Sequence, residues 1–347
     1  MTKSIDIFCA KCWEPFGPAT TDIGGSEKAV IAMARELSKA GTVVRVYGEP
    51  PVEGKDEHGT EWLHYNKWTM DTRADILVGW RNATPMAYMA QAGVRNYGST
   101  AMWLHDLGTP YMPEQLAAAV DKVMVLSDFH AKSFLSTNPR LKDKIYKTAN
   151  GVELHQYPAE MPTKYGNNYF YSSSPRRGLG KLLKEWPEVR KKYPDALLHV
   201  AYGFELSIKM CEIQGDQFTA NVFRRLQRQA ATTEGVIDYG RVDGPTLAAI
   251  QRKCEAWLYP PNDFEETFCI TALEAQAAYA FPIVRQNGAL PETVNNKFVW
   301  TADMTTLDVI EQYNTIEDGL IDVLEENRRF AEQYTWAEVA QAWLKDL

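Results

Sequence analysis

Long apolar runs are missing from this chain. No stretch approaches the roughly 18 consecutive apolar residues that would span a bilayer. The opening segment, from Thr2 to Phe8, reads as a first β-strand and lacks the extended apolar core of a signal peptide; a cytoplasmic location is therefore expected. Cysteine is scarce: five residues, at positions 9, 12, 211, 254 and 269, form an odd, scattered set that excludes a disulfide framework. Cys9 and Cys12 make a lone C-x-x-C, with no second pair to complete a zinc site. The six histidines are dispersed and no D-x-D triplet occurs, so neither a metal nor another cofactor is expected. An excess of positive charge is also missing, because the formal net charge is -8. Residues 1–160 carry 17 basic and 19 acidic side chains, and residues 161–347 the other 20 and 26. Such a chain is not a default polyphosphate binder. Local basic runs do stand at Arg140–Lys147 and Arg224–Arg228; both read as solvated helix faces or as binding patches.

What is present fits an ordinary soluble globular protein, with 45% hydrophobic and 24% charged residues. A length of 347 residues points to about two domains. The first half alternates strand-like with helix-like segments. Strands are expected at Ile5–Cys9, Val43–Tyr47, Ile76–Val78, Ala101–Leu104 and Lys122–Leu126, and helices at Ser26–Lys39, at Pro113–Val120 and from Asp128. Around residues 149–168 the pattern breaks into Asn-Gly, prolines and polar residues, the place for a hinge. A second series follows, with strands at Tyr169–Tyr171, Ala196–Tyr202 and Gly235–Tyr239. Its helices are expected at Gly180–Lys192 and Gly244–Lys253, and a helix pair fills Arg328–Leu347. This alternation is that of a doubly wound parallel sheet, twice over, with a ligand cleft at the carboxyl ends of the strands.

Three loops carry the chemistry. Glu266 and Glu274 stand eight positions apart with no charged residue between them, after the apolar run Ala256–Pro260 and before an alanine-rich helical run. That places one acid in a loop and the other about a turn inside a helix, flanking a helix start whose N–H groups and dipole suit phosphate. The same spacing is met by two surface glutamates beside an ordinary helix start. Near the N-terminus, Asp22-Ile23-Gly24-Gly25-Ser26-Glu27 joins a strand to a helix, with glycines that let backbone N–H groups approach a ligand. At the matching place in the second half stands Tyr171-Ser172-Ser173-Ser174-Pro175-Arg176-Arg177-Gly178-Leu179. Arginine there could fork onto a diphosphate; the loop also reads as a solvated basic pair.

Taken together, these segments resemble the retaining glycosyltransferases of the GT-B fold, in particular the family-4 type. The resemblance rests on Gly24–Glu27, Val125-Leu126-Ser127-Asp128-Phe129, Asn150-Gly151-Val152, Ser174–Leu179 and the E-x7-E of Glu266 and Glu274, in that order. Asn287-Gly288-Ala289-Leu290-Pro291-Glu292 and the closing Tyr334–Ala340 extend it over most of the chain.

The resemblance implies an α/β architecture of two Rossmann-like doubly wound domains facing a central cleft. Residues 1–160 would form the acceptor-side domain, 161–327 the nucleotide-sugar domain, and 328–347 helices packing back toward the first. It implies transfer of a sugar from a nucleotide-diphosphate sugar, UDP-linked by family frequency, to a hydroxyl acceptor of saccharide or glycoconjugate type, without a metal. Arg177 would neutralise the departing diphosphate, Glu266 would hold hydroxyls of the transferred sugar, and Glu274 would hold the ribose. His105 would lie near the transferred sugar and the acceptor, making His105, Arg177 and Glu266 the catalytic set. Gly24, Gly25, Ser172, Ser173, Arg176, Arg241, Phe268, Cys269 and Ile270 would complete the donor site. Three positions depart from the family pattern: Arg177 stands where lysine is usual, Ser172 stands where a companion arginine is usual, with Arg176 as its substitute, and Cys269 stands where glycine is common. Same-face attack on an oxocarbenium-like centre follows, with leaving-group charge met by Arg177, serine hydroxyls and helix N-termini. Competing readings keep the donor but change the acceptor to a hydroxylated base in DNA, as in phage enzymes, or make the chain a non-catalytic nucleotide-sugar binder.

Overall fold

A computed structural model describes residues 2–12, 15–21, 23–316 and 319–347, so Asp22, at the head of the first glycine segment, lies outside the described residues. The chain divides into two compact units: Met1–Gly151 together with Tyr334–Leu347, and Val152–Gln333.

The first unit is built on an eight-stranded sheet. Its strands are β1 (Ser4–Phe8), β2 (Val43–Gly48), β3 (Gly54–Lys55), β4 (Glu61–His64), β5 (Ala74–Trp80), β6 (Tyr97–Trp103), β7 (Lys122–Val125) and β8 (Ile145–Lys147). They lie in the order β3-β4-β2-β1-β5-β6-β7-β8, all parallel except that β3 runs against β4. Apolar stretches such as Ile76-Leu77-Val78 suit strands covered on both faces, as parallel sheets are. Helix α1 (Gly25–Lys39) buries Ala29, Val30, Ala32, Met33, Ala34 and Leu37, a broad apolar side at helical spacing. Helices α2 (Thr84–Ala92), α3 (Glu114–Ala119) and α4 (Asp128–Thr137) fill the later crossovers. Ser127 caps α4 by accepting from the His130 N–H.

The C-terminal helix, Trp336–Asp346, closes this unit against α1. Trp343 stands edge-on to Trp103 at 4.7 Å and donates through its indole N–H to Thr148 Oγ1 at 2.7 Å. A β-carbon on Gly151 would lie 2.5 Å from the Trp336 backbone nitrogen, so the Asn150-Gly151 step is small because this helix returns onto it.

The second unit holds a five-stranded parallel sheet in the order β11-β10-β9-β12-β13. The strands are β9 (Asn168–Tyr171), β10 (Leu197–Val200), β11 (Val236–Asp238), β12 (Ala256–Tyr259) and β13 (Phe281–Val284). Between them run α5 (Leu179–Lys192), α6 (Glu205–Ile213), α7 (Gln217–Thr232), α8 (Gly244–Lys253) and α9 (Ile270–Ala277), followed by α10 (Leu290–Thr293), α11 (Thr306–Asn314) and α12 (Leu320–Glu332). Among the described residues no helix is long and apolar enough to cross a membrane.

The expected α/β class is the one observed. The helix expected at Gly244–Lys253 has those bounds, and the helix expected at Ser26–Lys39 starts one residue earlier. The strand expected over Ala196–Tyr202 is shorter, Leu197–Val200, because its neighbour β9 offers partners only from Asn168 to Tyr171. The first helix of the expected terminal pair starts at Leu320 rather than Arg328, with the left-handed Gly319 at its N-cap.

Candidate active site

In each sheet the chain starts in the middle, works outward on one side, then returns to build the other. The strand order therefore reverses between β1 and β5 in the first unit and between β9 and β12 in the second. Loops leaving neighbouring strands at such a reversal diverge to opposite faces and open a crevice at their carboxyl ends.

In the second unit the two loops at the reversal carry Arg177, after β9, and Glu266, after β12. The Arg177 guanidinium donates from Nη1 to Glu266 Oε1 at 2.7 Å, and the Tyr259 hydroxyl donates to the same oxygen at 2.7 Å. Glu266 is only 5% exposed. The guanidinium carbon of Arg177 lies 3.7 Å from the centre of the Phe264 ring, so a stacked face and a carboxylate fix the arginine's plane together. Burial works most strongly against the charge on Arg177, but Glu266 together with Tyr259, Cys269 and Tyr202 outweighs it and raises the arginine above its usual value; the cation is permanent. Burial, and then Glu266, raise Tyr259, which stays a neutral donor.

The backbone of Glu266 is clamped from the segment after β13. Ala289 N–H donates to Glu266 O at 2.8 Å. Gly288 has φ +58°, and a β-carbon there would lie 2.8 Å from both the N and the O of Glu266. Asn287-Gly288-Ala289 is thus the lock on the acid's loop. Asn262 adds a brace, its side-chain amide donating to Pro260 O at 2.9 Å and Arg177 O at 3.3 Å.

Glu274 sits inside α9, whose N-cap is Cys269. Cys269 holds φ +76°, the left-handed region that favours glycine. Burial, then Glu266, raise the Cys269 thiol; Arg177 and Glu274 also act on it. Cys269 thus lies within electrostatic reach of the arginine and of both acids. Phe268, beside the cap, is buried. On the loop after β9, Ser172 is 8% exposed and its Oγ makes no hydrogen bond within the protein. Leaving such a hydroxyl unsatisfied costs about 1–3 kcal/mol, which a ligand acceptor atom would relieve. Ser173 is buried beside it, and Arg176 is exposed, within electrostatic reach of Asp216. Arg241 follows β11 and lies 5.3 Å from the Tyr202 ring centre.

The first unit repeats the layout. Gly24 caps α1 at φ -67°, and the Glu27 carboxylate lies where its β-carbon would be. Arg81, in the left-handed region at φ +55°, follows β5. It pairs with Asp106, donates to Ser26 Oγ at 3.2 Å and reaches Glu27 at 3.5 Å, tying the glycine-rich segment to the end of β6. His105 is buried against Trp103, with ring centroids 4.6 Å apart. Burial, then Arg81 and His130, hold its pKa well below 6.5, so the imidazole is neutral at physiological pH. His105, Arg81 and Asp106 line a cavity of about 530 Å³.

Three solved structures share this architecture along almost the whole chain. A glycosyltransferase from Rickettsia africae ESF-5 aligns over 99% of this chain and 97% of its own, at 16% identity and a TM-score of 0.71. Sucrose-phosphate synthase from Thermosynechococcus elongatus covers 99% and 98%, at 15% identity and 0.69. The Anabaena protein HepE, solved in complex with UDP and glucose, covers 99% and 99%, at 13% identity and 0.66. The chain has the GT-B fold. No protein-family model matches it, and no curated protein sequence does, so the likeness is one of GT-B architecture. The reversal point of the second unit brings together Arg177 and Glu266, with Cys269 and Glu274 at the start of and inside the helix that follows. The loop holding Ser172, Ser173 and Arg176 leaves the same end of that sheet; Gly24, Gly25 and His105 belong to the first unit. Sequence reasoning missed Tyr259, Phe264, Asn262 and Arg81. Arg81, directly after an apolar strand and before an Asn, carried a signal of the same kind as Arg177.

Proposed function

We propose that the chain is a retaining, metal-independent glycosyltransferase that moves a sugar from a nucleotide-diphosphate sugar, UDP-linked, to a hydroxyl acceptor. The observation that carries this is the Arg177–Glu266 pair at the reversal point of the second unit, on the fold of proteins one of which was solved with UDP and glucose. Arg177 is the diphosphate's counter-charge, pre-oriented by Phe264 and Glu266. Both protein donors to Glu266 use Oε1, so Oε2 is the atom for a hydroxyl of the transferred sugar. Glu274 takes the ribose hydroxyls, and the N–H groups of Phe268, Cys269 and Ile270 at the start of α9 meet phosphate or sugar. Ser172, Ser173 and Arg176 serve the diphosphate from the opposite loop, and Arg241 the nucleotide end. His105 is the acceptor-side residue. As a neutral imidazole it can donate or accept a hydrogen bond with an acceptor hydroxyl.

The residues perform the step as follows. The bond from the anomeric carbon to the phosphate oxygen breaks, and the electron pair leaves on the diphosphate, where Arg177 and the buried serine hydroxyls stabilise it. The acceptor oxygen forms the new bond on the same face, and its proton passes to the departing phosphate oxygen. A cytoplasmic location belongs to the same proposal, supported by the lack of a disulfide framework. The test is a panel of nucleotide-sugars scored for release of free nucleotide diphosphate without acceptor. Slow release from one UDP-sugar is expected. Binding without any release would make the chain a nucleotide-sugar binder instead.

A further inference from the structure

The cavity of about 530 Å³ lies wholly within the first unit, at the carboxyl ends of β5 and β6. Its volume is that of a small-molecule site. The floor is apolar and adaptable, with Met102, Leu104, Met112 and Leu116. At the mouth, Tyr111 is 59% exposed and offers an aromatic face. The wall that carries Tyr111 is pinned from below. The fully buried Asn138 accepts from Met112 N–H at 2.8 Å and donates to Pro110 O at 3.2 Å, and Arg140 stacks on Tyr111 at 4.7 Å. His130 meets Asp106 O at 3.1 Å and fixes the other side. The pocket is therefore preformed rather than dependent on an ordering event. Charge decides its occupant. Arg81 is the one cation among the lining residues and Asp106 the one anion, and they are paired. Arg140 lies beside Tyr111 but outside the lining, its guanidinium turned to the ring and to Met112 O, so within the lining a polyanion would find no surplus positive charge, and a bare sugar would leave the methionine and leucine floor uncovered.

We infer that this pocket takes a neutral, hydroxyl-bearing small molecule with an apolar aryl or alkyl body. The body covers the methionine and leucine floor, and the hydroxyl is held at the His105, Arg81 and Asp106 edge. The inference rests on the transferase reading only for what then happens to that hydroxyl. It narrows the acceptor from saccharides in general to molecules with an apolar body.

The test is titration of the full chain, without donor, with a matched pair of probes: phenyl β-glucoside and methyl β-glucoside. Phenyl β-glucoside should bind at least tenfold more tightly. Ala87→Trp, which fills the cavity from α2, and Leu116→Asp, which charges its floor, should each weaken phenyl β-glucoside at least tenfold while melting near wild type. A 5-hydroxymethylcytosine oligonucleotide should bind no better than methyl β-glucoside. Equal binding or no binding of the two glucosides overturns the proposal. So does unchanged phenyl β-glucoside binding in a folded variant, or a preference for the oligonucleotide. Because no donor is present, failure here leaves the donor-release assay standing, and failure of that assay leaves this result standing.

Discussion

At the scale of single residues, the site combines fixed charge with local backbone strain. Arg177→Ala should lower turnover on the order of 10²–10³-fold, the usual loss for one preorganised contact to a leaving group; steady-state kinetics with the active donor checks it. Arg177→Lys should recover only part, since a lysine can neither stack flat on Phe264 nor hold Glu266 in the same plane. Cys269 gives a stability test. At φ +76° a β-carbon is strained, so Cys269→Gly should be more stable than Cys269→Ala by about 1 kcal/mol in denaturant melts. The converse holds at Gly288, where Gly288→Ala forces a β-carbon onto the Glu266 backbone. That change should cost about 2 kcal/mol or more and remove activity with it. The glycine was legible in the sequence as part of a segment. Its reason, contact with an acid 22 positions earlier, was not, because local pattern carries no information about which loop a strand end will meet.

At the scale of elements, the alternation of strands and helices was readable because crossover helices such as α1 and α5 bury an apolar face and strands such as β12 are apolar. The short edge strands β3 and β8 escaped, having two and three residues and little burial. Helix α6 escaped for a related reason. None of its residues is buried, so it carries no strong core-facing stripe and is held chiefly against α7. Glu266 and Glu274 were placed correctly on loop and helix, while the tyrosine and phenylalanine that orient Arg177 were not, since aromatics after a strand usually fill a core. Helix α9 also carries a pH prediction. Lys164 donates to Ala278 O, just past its C-terminus, at 2.9 Å. Burial lowers the lysine to about 7 from 10.5. The folded state then binds fewer protons than the unfolded chain between those values, so this group's contribution is full above the unfolded pKa and is lost as pH falls to about 7. Melting temperature should therefore carry a rising component between pH 7 and 10. That component should vanish in Lys164→Met, and an unchanged slope in the variant would remove Lys164 as its source.

At the scale of the whole molecule, the last fourteen residues complete the first unit rather than trail from the second. Trp343 is fully buried against Trp103 and bonded to Thr148. Trp343→Ala should cost about 3–5 kcal/mol, as truncation of a buried large aromatic does, measured by denaturant unfolding. The same spectroscopic melt should show whether the second unit keeps its own transition. The most direct test of the donor assignment is calorimetric titration of UDP and of uridine into the wild type, Arg177→Ala and Glu274→Ala. With Arg177 on the diphosphate and Glu274 on the ribose, Arg177→Ala should weaken UDP at least tenfold and leave uridine unchanged, whereas Glu274→Ala should weaken both. Undiminished UDP affinity in Arg177→Ala would contradict the account.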